Sequence, residues 1–431
     1  MIFIKTLVKR IFQYEARRVL ARYKPKIIVI VGSVGKTITK EALYLVLSKK
    51  FFVRRSEKSF TTDLGIPLAI IGCSIGNGSI LQWIQNLLQG VWLLAHRSRY
   101  PDYLILELDG DKPGDLQSVS TWLVPDILVL TAIGDAPAHI EAFGNIETFL
   151  YEKKHIVGAL AQSGVIVYNA DDVHATTLAQ SVEATRISCG IGGGVNISAT
   201  PFQILYGGKQ SLPTGMQWMI THTTESYPIS LFDTFGVSIQ YAFLLACGVG
   251  ISSGISLSDC ISALATFRPL AGRMRTVMGI KETYIIDDTY NASPIAMSQA
   301  VDVFSQMNVS GRKIAVVGDM LELGRYSADA HRAVGRELFE FASYVFCVGI
   351  RSRKMVNELL SLGFDESHIF SFDTSERAGL ELQNLLLPGD LVLVKGSQAM
   401  RMERVVEEIM RHPKDADKLL VRQEPEWLER D

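Results

Sequence analysis

A glycine-containing segment near the N-terminus has the composition of a phosphate-binding loop. The segment, Gly32-Ser-Val-Gly-Lys-Thr37, lies between an apolar run at 26–31 and a predicted helix over 38–49. Glycines let backbone N–H groups approach phosphate oxygens, while Lys36 supplies a positive charge and Thr37 a hydroxyl ligand for Mg²⁺. Because Ile30 occupies the first glycine position of the full motif, an ordinary glycine turn is the alternative interpretation.

Two residues that follow other apolar runs have side chains that could hold a metal ion. Glu107 ends the run 103–107, a place where carboxylates of phosphate-transferring enzymes commonly bind Mg²⁺. A solvated acid at the end of a strand is the alternative for this residue. His139 follows the run 127–131, and taken alone it is more typical of a structural histidine than of a ligand.

The second half of the chain has three polar segments, each placed directly after an apolar run. Open α/β sheets bind ligands at the carboxyl ends of their strands, so the recurrence of such segments favours a site over a series of plain turns. The residues of interest are Asp288 and Asn291 in the first segment, Asp319, Glu322 and His331 in the second, and Lys395 and Ser397 in the third.

The elements that must position these residues belong to an α/β fold. In the first half, apolar runs alternate with helical patterns, which is typical of a parallel sheet flanked by helices. Residues 195–235 are rich in Thr, Ser, Gly and β-branched residues, and they predict an antiparallel addition to that sheet. The predicted strands of the parallel part are 26–31, 103–107, 127–131 and 165–169.

A Pro- and Gly-containing stretch at 267–274 predicts a hinge before a second, doubly wound α/β unit. The strands predicted in that unit are 284–287, 313–318, 344–349, 368–372 and 391–395. We therefore expect three parts: an N-terminal basic amphipathic helix (1–25), a central P-loop domain (26–268) and a C-terminal Rossmann-like domain (269–431).

Composition narrows the class of protein. The chain has 431 residues, enough for two or three domains, and 48% of them are hydrophobic, so sizeable cores are expected. The formal net charge is −2, so the chain lacks the excess of basic residues that is typical of general nucleic-acid-binding proteins, and nucleic acid is not an expected partner. Five widely spaced cysteines without a CxxC pair argue against a disulfide framework or zinc ribbon and favour a cytoplasmic location.

Two segments raise the question of membrane contact. Residues 1–25 predict a helix with Ile4, Leu7, Ile11 and Tyr14 at helical spacing and many basic residues against the single acid Glu15. Peripheral contact of this helix with the inner membrane surface and simple packing on the ATPase domain are both open interpretations. The segment 64–96 has no charged residue, and its helix is expected to be buried against the domain or, as the alternative, to touch a membrane surface.

Taken together, the segments resemble the Mur ligase family over roughly residues 26 to 410. The resemblance implies an ATP loop at Gly32, Ser33, Val34, Gly35, Lys36 and Thr37, with two Mg²⁺ ions held by Thr37, Glu107 and His139. It also implies a hinge arginine, Arg273, that meets ATP phosphate, and nucleotide contacts at Asp288 and Asn291. Substrate contacts are implied at Ser59, Thr61, Thr62, Asp319, Glu322, His331, Lys395 and Ser397.

Lys153 corresponds in this resemblance to a lysine that carries a carbamate derived from CO₂. A carbamate is an anionic oxygen ligand for a metal ion, whereas a charged lysine would be repelled. Because Lys154 is adjacent, the register could differ by one, and a surface helix lysine is the alternative. Catalytic roles are implied for Lys36, Lys153, His139 and Arg273.

The function implied is ATP-dependent amide bond formation through an acyl phosphate, joining D-alanyl-D-alanine to a cell-wall muramoyl peptide. The family's usual N-terminal domain for a UDP-sugar is expected to be replaced by the helix 1–25, and polar residues expected near Phe235, Gly236 and Ile239 are absent. Ligation of another amino acid to a non-UDP acceptor, or a non-catalytic nucleotide-binding scaffold on the membrane, are therefore alternatives. We expect small-molecule or peptide substrates and a monomer.

Overall fold

The computed structural model describes residues 2–56, 64–73, 80–208 and 212–428, with the side chains of residues 2–7 and 80 left aside. In the first half of the chain, the helices and strands are, in order, α1 (Ile2–Tyr23), β1 (Lys26–Val31), α2 (Lys36–Leu47), β2 (Val53–Arg55), α3 (Gly65–Ile71), α4 (Ile80–Ala95), β3 (Tyr103–Glu107), α5 (Asp115–Ser120), β4 (Ile127–Leu130), α6 (Ile140–Phe143), α7 (Ile146–Gly158), β5 (Val165–Asn169), α8 (Val173–Gln180), β6 (Thr185–Ile191), β7 (Ile197–Ala199), β8 (Gln203–Gly207), β9 (Leu212–His222), β10 (Glu225–Phe232), α9 (Val237–Ser252) and α10 (Leu257–Leu264).

The second half follows with β11 (Arg275–Met278), β12 (Tyr284–Asp288), α11 (Pro294–Gln306), β13 (Lys313–Gly318), α12 (Ser327–Phe339), β14 (Tyr344–Val348), α13 (Arg353–Ser361), β15 (Ile369–Phe372), α14 (Ser375–Leu385), β16 (Leu391–Lys395), α15 (Glu403–Ile409), α16 (Ala416–Leu419) and α17 (Pro425–Leu428).

The first sheet is mostly parallel, as the alternating pattern predicts. Among the described residues it has ten strands in the order β10-β9-β7-β6-β5-β4-β1-β3-β2, with β8 paired to β9. The pairs from β2 to β7 are parallel, while β8, β9 and β10 pair in antiparallel fashion. Strand β1 is almost entirely buried because helices cover both faces of a parallel sheet. The antiparallel addition expected within 195–235 is confirmed by β7–β10.

The second sheet has the order β11-β12-β16-β13-β14-β15 among the described residues, and only β11 is antiparallel. All five strands expected in this part of the chain are present within a residue of their expected bounds. The fold class is therefore confirmed: a large, mostly parallel sheet with an antiparallel addition, followed by a Rossmann-like α/β unit. The residues that could do chemistry lie where the strands of both sheets end.

Helix α9 is apolar on every side, and it is buried between α2 and the strands β5 and β6. Gly248 permits this approach because a Cβ there would lie 2.6 Å from a methyl group of Val167. Close packing of α9 behind α2 supports the helix that carries the phosphate loop lysine.

Helix α1 packs on α3 and α4, but not through the face that the sequence indicates. Its buried residues are Phe12, Ala16 and Val19, whereas Ile11 and Tyr14 are exposed. The ring centroids of Phe12 and of Trp83 in α4 lie 5.8 Å apart. The apolar residues Phe12, Ala16 and Val19 are therefore buried within the protein, while the side chains of Ile4 and Leu7 lie outside the described residues.

Helix α4 also departs from expectation. Its polar residue Asn86 is buried, while Leu81, Ile84, Leu88 and others of its apolar residues are exposed. The interpretation in which the apolar face of this segment is buried against the domain is therefore wrong for those residues, because the inner face of α4 is the one that contacts α1. No helix of the described residues is long and apolar enough to cross a membrane.

Candidate active site

A cleft of about 860 Å³ lies at the carboxyl ends of the central strands, between the two sheets. The first sheet contributes the phosphate loop, the segment after β3 and His139. The second sheet contributes the hinge residue Arg273, the segment after β12 and the C-terminal residues 420–427. Segments far apart in the sequence thus line one cavity.

The phosphate loop has the tight geometry that its glycines predict. Gly35 has a φ of 87°, and a Cβ at Gly32 would lie 2.0 Å from the Oγ1 of Thr131, so both positions favour glycine. Lys36 begins α2, and its Nζ donates to the carbonyl oxygens of Gly32 (2.9 Å) and Ser33 (3.2 Å). The lysine is folded back over its own loop.

Three carboxylates alternate along the segment after β3, and sequence reasoning identified only the first. Thr37 Oγ1 donates to Glu107 Oε1 (2.9 Å), and Lys36 Nζ pairs with Asp109 Oδ1 (2.8 Å). Asp111 lies 3.5 Å from Nε2 of His139. The acids at every second residue in 107–111 were a visible signal in the sequence that more than one carboxylate lies near the end of β3.

Charge balance in this cluster follows from burial and from close pairing. Burial opposes ionisation of Asp109, but the ammonium groups of Lys36 and Lys153 hold its pKa below the ordinary value. Burial also opposes the charge on Lys36, yet Asp109 and Glu107 raise its pKa. Burial raises the pKa of Asp111. Lys36 is therefore a stable cation in the lining of the cleft.

Glu107 has a second partner that sequence reasoning missed. Lys40, one turn after Lys36 on α2, places its Nζ 3.1 Å from Glu107 Oε2, and both side chains are 2% exposed. A buried carboxylate of this kind requires a paired cation. Lys40 thus holds Glu107 in place from behind while Thr37 binds its other oxygen.

Lys153, on α7, is fully buried beneath the acidic segment, whereas Lys154 is exposed. Its Nζ donates to the carbonyl oxygens of Asp109 and Gly110. Burial, with the neighbouring Lys36 next in size, lowers the pKa of Lys153 to about 8. Adjacent Glu152 accepts backbone N–H groups of Gly114 (2.9 Å) and Leu116 (2.6 Å), which fixes α7 against α5.

His139 lies at the junction of the two halves. It has a positive φ of 66° at the start of α6, and its Nδ1 contacts the carboxylate of Glu322 from the second half. The backbone N–H of Glu141 donates to the carbonyl oxygen of Glu322 (3.1 Å), so the contact is made twice. Glu322, for which a substrate contact is implied, pairs in this structure with His139, an expected metal ligand.

The residues fit a magnesium ion bound together with a nucleotide better than a preformed metal site. No group of three or more His, Cys, Asp or Glu side chains in the described part of the chain is arranged to hold a metal. Mg²⁺ usually takes one or two carboxylates and completes its shell with phosphate oxygens and water. Thr37, Glu107 and Asp109 offer oxygen ligands of this kind beside the phosphate loop.

Arg273 connects the hinge to the phosphate loop. Its guanidinium lies over the ring of Tyr290, 3.8 Å from the ring centroid, and Nη2 lies 3.5 Å from Thr37 Oγ1. Stacking on Tyr290 keeps the planar group in the cleft. Arg273 is therefore placed where the terminal phosphates of a nucleotide on the loop would lie.

Asp288, Asn291 and Lys395 form one hydrogen-bonded network, in which Asp288 and Lys395 are buried. Lys395 Nζ donates to Asp288 Oδ2 (2.6 Å) and to the carbonyl oxygen of Asn291 (3.0 Å). The Asn291 side chain accepts from the backbone of Gln398 (3.3 Å). Lys395, expected to touch substrate, thus supports the segment expected to touch nucleotide.

The remaining expected substrate residues are used inside the second half. Asp319 accepts the backbone N–H of Ser352 (2.7 Å), and Ser397 accepts that of Leu321 (2.9 Å). His331 is fully buried, accepts from Met320 N (3.0 Å) at Nε2 and donates to Ser327 O at Nδ1 (2.6 Å), and burial lowers its pKa. Ser59, Thr61 and Thr62 lie outside the described residues.

The C-terminal segment 420–427 forms one wall of the cleft. Arg422 donates to the carbonyl oxygens of Thr289 (2.5 Å) and Tyr290 (3.0 Å) and pairs with Glu403 (2.6 Å). Arg422 is 7% exposed and Glu403 is fully buried. This pair anchors residues 420–427 to the segment that carries Tyr290 and Asn291.

Two family models match the chain. The Mur ligase middle domain matches residues 30–212, and the Mur ligase glutamate ligase domain matches residues 272–398. Among similar proteins is the UDP-N-acetylmuramoyl-tripeptide–D-alanyl-D-alanine ligase of Bacillus subtilis, 24% identical over 93% of this chain and 79% of its own length. The enzyme of the same name from Mycobacterium leprae is 27% identical over 87% of this chain and 71% of its length.

Solved structures of Mur ligases have a similar fold. MurF ligase from Thermotoga maritima, in complex with ADP, superposes with a TM-score of 0.75 over 95% of this chain and 84% of its own, at 24% identity. MurF from Acinetobacter baumannii superposes with a TM-score of 0.74 over 93% of this chain and 79% of its own, at 25% identity. With both domain models matched in order on either side of one cleft, this chain belongs to the Mur ligase family.

Proposed function

We propose that this protein is an ATP-dependent, ADP-forming ligase that adds D-alanyl-D-alanine to a muramoyl tripeptide of the cell-wall precursor. The observation that carries the proposal is the meeting of Lys36, Thr37 and Glu107 from one half with Arg273 from the other in a single cleft. The similarity to ligases of that name over most of the chain supports the choice of substrates.

ATP supplies the phosphoryl group that activates the acceptor carboxylate, and the incoming amine displaces phosphate to form the amide. Lys36 offsets negative charge on the transferring phosphoryl group, which is where most of the rate enhancement of such reactions arises. Thr37 and Glu107 offer ligands for Mg²⁺ on one side of the phosphates. Arg273 approaches the same phosphates from the hinge and aligns the two halves around them.

Lys36 exchanges its partner when nucleotide binds. In the structure its Nζ is 2.8 Å from Asp109 and bonds two carbonyl oxygens of its own loop. A polyphosphate on the loop offers a stronger set of anionic acceptors, so Lys36 turns towards it. Asp109 is then free to accept a hydrogen bond or to join Glu107 at Mg²⁺.

We further propose that Lys153 carries a carbamate formed with CO₂. Only the unprotonated amine reacts with CO₂, and the lowered pKa, about 8, increases that form near neutral pH. A carbamate here would lie beside the acidic segment 107–111 and would offer anionic oxygens to a second Mg²⁺. The exposed Lys154 has no such neighbours in the described structure.

The carbamate is tested by chemical rescue. We expect Lys153→Ala to be nearly inactive and to regain part of its turnover when a short carboxylic acid is added, while Lys154→Ala keeps full activity. Mass spectrometry of the intact protein trapped by a methylating reagent gives an independent readout. Full activity of Lys153→Ala without any acid would contradict the carbamate.

The overall function is tested by phosphate release. The intact protein is incubated with ATP and Mg²⁺, with UDP-linked and UDP-free muramoyl tripeptides, and with D-alanyl-D-alanine or single amino acids. We expect release to require both a tripeptide and D-alanyl-D-alanine. ATP binding without release in any combination would support a nucleotide-binding scaffold instead, and release only with a different amine would support another ligase specificity.

The division into parts at 1–25, 26–268 and 269–431 is also a proposal. It is supported by the hinge segment, which lies between α10 of the first half and β11 of the second.

We also propose peripheral membrane contact through residues 1–25, because α1 has many basic residues and a single acid, Glu15.

A further inference from the structure

The outward face of α4 is an apolar stripe on the protein surface. Its five large side chains recur at intervals of three or four residues, so they share one side of the helix and extend for about 17 Å along it. The stripe consists of Leu81 (72% exposed), Ile84 (48%), Leu88 (59%), Val91 (51%) and Trp92 (47%). Contiguous exposed apolar surface of this kind marks an interaction site more often than chance.

The opposite side of α4 is fixed to α1, so the stripe cannot turn inward. Gly90 backs onto the carboxylate of Glu15, where a Cβ would lie 2.2 Å from Oε2. The hydroxyl of Tyr23 donates to the carbonyl oxygen of Leu93 (2.9 Å). The helices run side by side in the same direction, since Phe12 meets Trp83 and Tyr23 meets Leu93.

Helix α1 places positive charge beside the stripe. Four exposed basic side chains are described on its outer side, and Glu15, the one acid among residues 1–40, is buried on the inner side. Arg22 donates to the carbonyl oxygen of Leu94 (2.8 Å), so the basic face of α1 reaches the end of α4. The exposed basic residues are Arg10, Arg17, Arg18 and Arg22 on α1 and Lys24 directly after it, and Arg97 and Arg99 follow α4.

We propose that the α4 stripe inserts into the surface of an anionic lipid bilayer, with the basic side chains of α1 beside it against the lipid headgroups. Apolar side chains at the boundary between headgroups and acyl chains, flanked by Lys and Arg, are the arrangement by which interfacial helices bind such a surface. The inference extends the contact proposed for residues 1–25 by adding the α4 stripe to the charge of α1, whose apolar residues Phe12, Ala16 and Val19 are buried within the protein.

A lipid surface suits the stripe better than a second copy of the chain. Two copies joined through α4 in a symmetric dimer would bring their own α1 helices, both basic, close together. Like charges at that distance oppose association, whereas anionic headgroups neutralise them. The five side chains of the stripe carry a single hydrogen-bonding group, the indole N–H of Trp92, and tryptophan is enriched at membrane interfaces, where one end of the ring is apolar and the other is wet.

Vesicle flotation of the intact protein tests this assignment. Phosphatidylcholine vesicles with and without phosphatidylglycerol are compared at low and high salt. We expect binding to the anionic vesicles only, weakened by salt, and reduced at least about tenfold in Leu88→Glu/Trp92→Glu, since charges would enter the apolar layer. Arg17→Gln/Arg18→Gln should reduce anionic binding by about fivefold per charge.

A matched control is Leu380→Glu, which changes an equally exposed leucine, 51% exposed, on α14 of the second sheet. It should bind vesicles like the unmodified protein. Brominated lipids should quench tryptophan fluorescence in the intact protein and quench it less in Trp92→Phe. Circular dichroism and ATP turnover should be unchanged in the α4 variants, because these side chains contact neither core nor cleft.

Three outcomes would overturn the proposal. One is the absence of binding to anionic vesicles at low salt. Another is binding that survives in Leu88→Glu/Trp92→Glu. The third is a dimer, seen by analytical ultracentrifugation of the lipid-free protein, that the same double variant dissociates, since this would make the stripe a contact between copies of the chain.

Discussion

Lys36 Nζ and Asp109 Oδ1 lie 2.8 Å apart in a mostly buried pair at the base of the cleft. Lys36 is the first residue of α2, and Asp109 follows the end of β3, so adjacent strands β1 and β3 bring the pair together. Within this pair, Lys36 is the cation that could bind phosphate, and Asp109 is the carboxylate that could bind a metal ion.

Replacement of this lysine should remove catalysis without unfolding the protein. We expect Lys36→Ala to lower ATP turnover by at least about a hundredfold, because it removes the charge that stabilises the transferring phosphoryl group. Lys49→Ala, at an exposed lysine after the same helix, should keep full turnover. Circular dichroism checks the fold of both, and substantial turnover in Lys36→Ala would rule out the phosphate loop as the site.

Replacement of Lys40 should act mainly on stability. Lys40→Met leaves Glu107 buried without its ammonium partner, and breaking such a pair costs about 3–5 kcal/mol. Urea unfolding followed by circular dichroism measures the loss. Glu41→Ala, which breaks a pair with Arg55 that is 22–32% exposed, should cost about 1 kcal/mol or less. Equal effects of the two variants would mean that Glu107 finds another partner.

The lowered pKa of Lys153 predicts how stability changes with pH. In the folded protein the pKa is about 8, against 10.5 for an ordinary lysine, so between these values the unfolded chain binds the extra proton. Stability should therefore rise with pH from about 8 to about 10.5 relative to a variant that lacks the amine. Parallel unfolding curves for the protein and Lys153→Met across this range, with CO₂ excluded, measure the difference. A constant difference would show that the lysine titrates normally.

Arg422 should act as a positioning residue for nucleotide. Its bonds to the carbonyl oxygens of Thr289 and Tyr290 hold the segment on which Arg273 stacks. We expect Arg422→Ala to raise KM for ATP by about tenfold or more with a smaller change in kcat, and Arg422→Lys to restore part of it. Exposed Arg411 provides the control, Arg411→Ala. A proportional loss of kcat alone would place Arg422 in the chemistry instead.

The phosphate loop could be predicted because its chemistry is local. Six consecutive residues between a strand and a helix carry the glycines, the lysine and the hydroxyl together. The contacts of Arg422 could not be predicted from the sequence, because its partners Glu403 and Thr289 are 19 and 133 residues away along the chain. The sequence of a highly charged terminal segment does not indicate whether the segment is frayed or packs as one wall of a cleft.

Helix α4 shows a different limit. Its periodicity predicts an amphipathic helix, but periodicity does not tell which side faces the protein. The answer depends on α1, whose Glu15 side chain lies directly against the bare backbone at Gly90, so that Leu81 and Leu88 lie on the outer side of α4. Likewise, Asp319, His331 and Lys395 were correctly placed after strands, yet their bonding partners within the second half could be seen only in three dimensions.

The short connection between α1 and β1 has a mechanical consequence. Only Lys24 and Pro25 separate the helix from the strand that ends in the phosphate loop, and Tyr23 bonds α1 to the end of α4. On a bilayer bound through α1 and α4, this short connection would hold the first sheet close to the lipid surface. Any opening of the cleft would then be a swing of the second sheet, with Asp288, Tyr290 and Arg422, about the hinge predicted at 267–274.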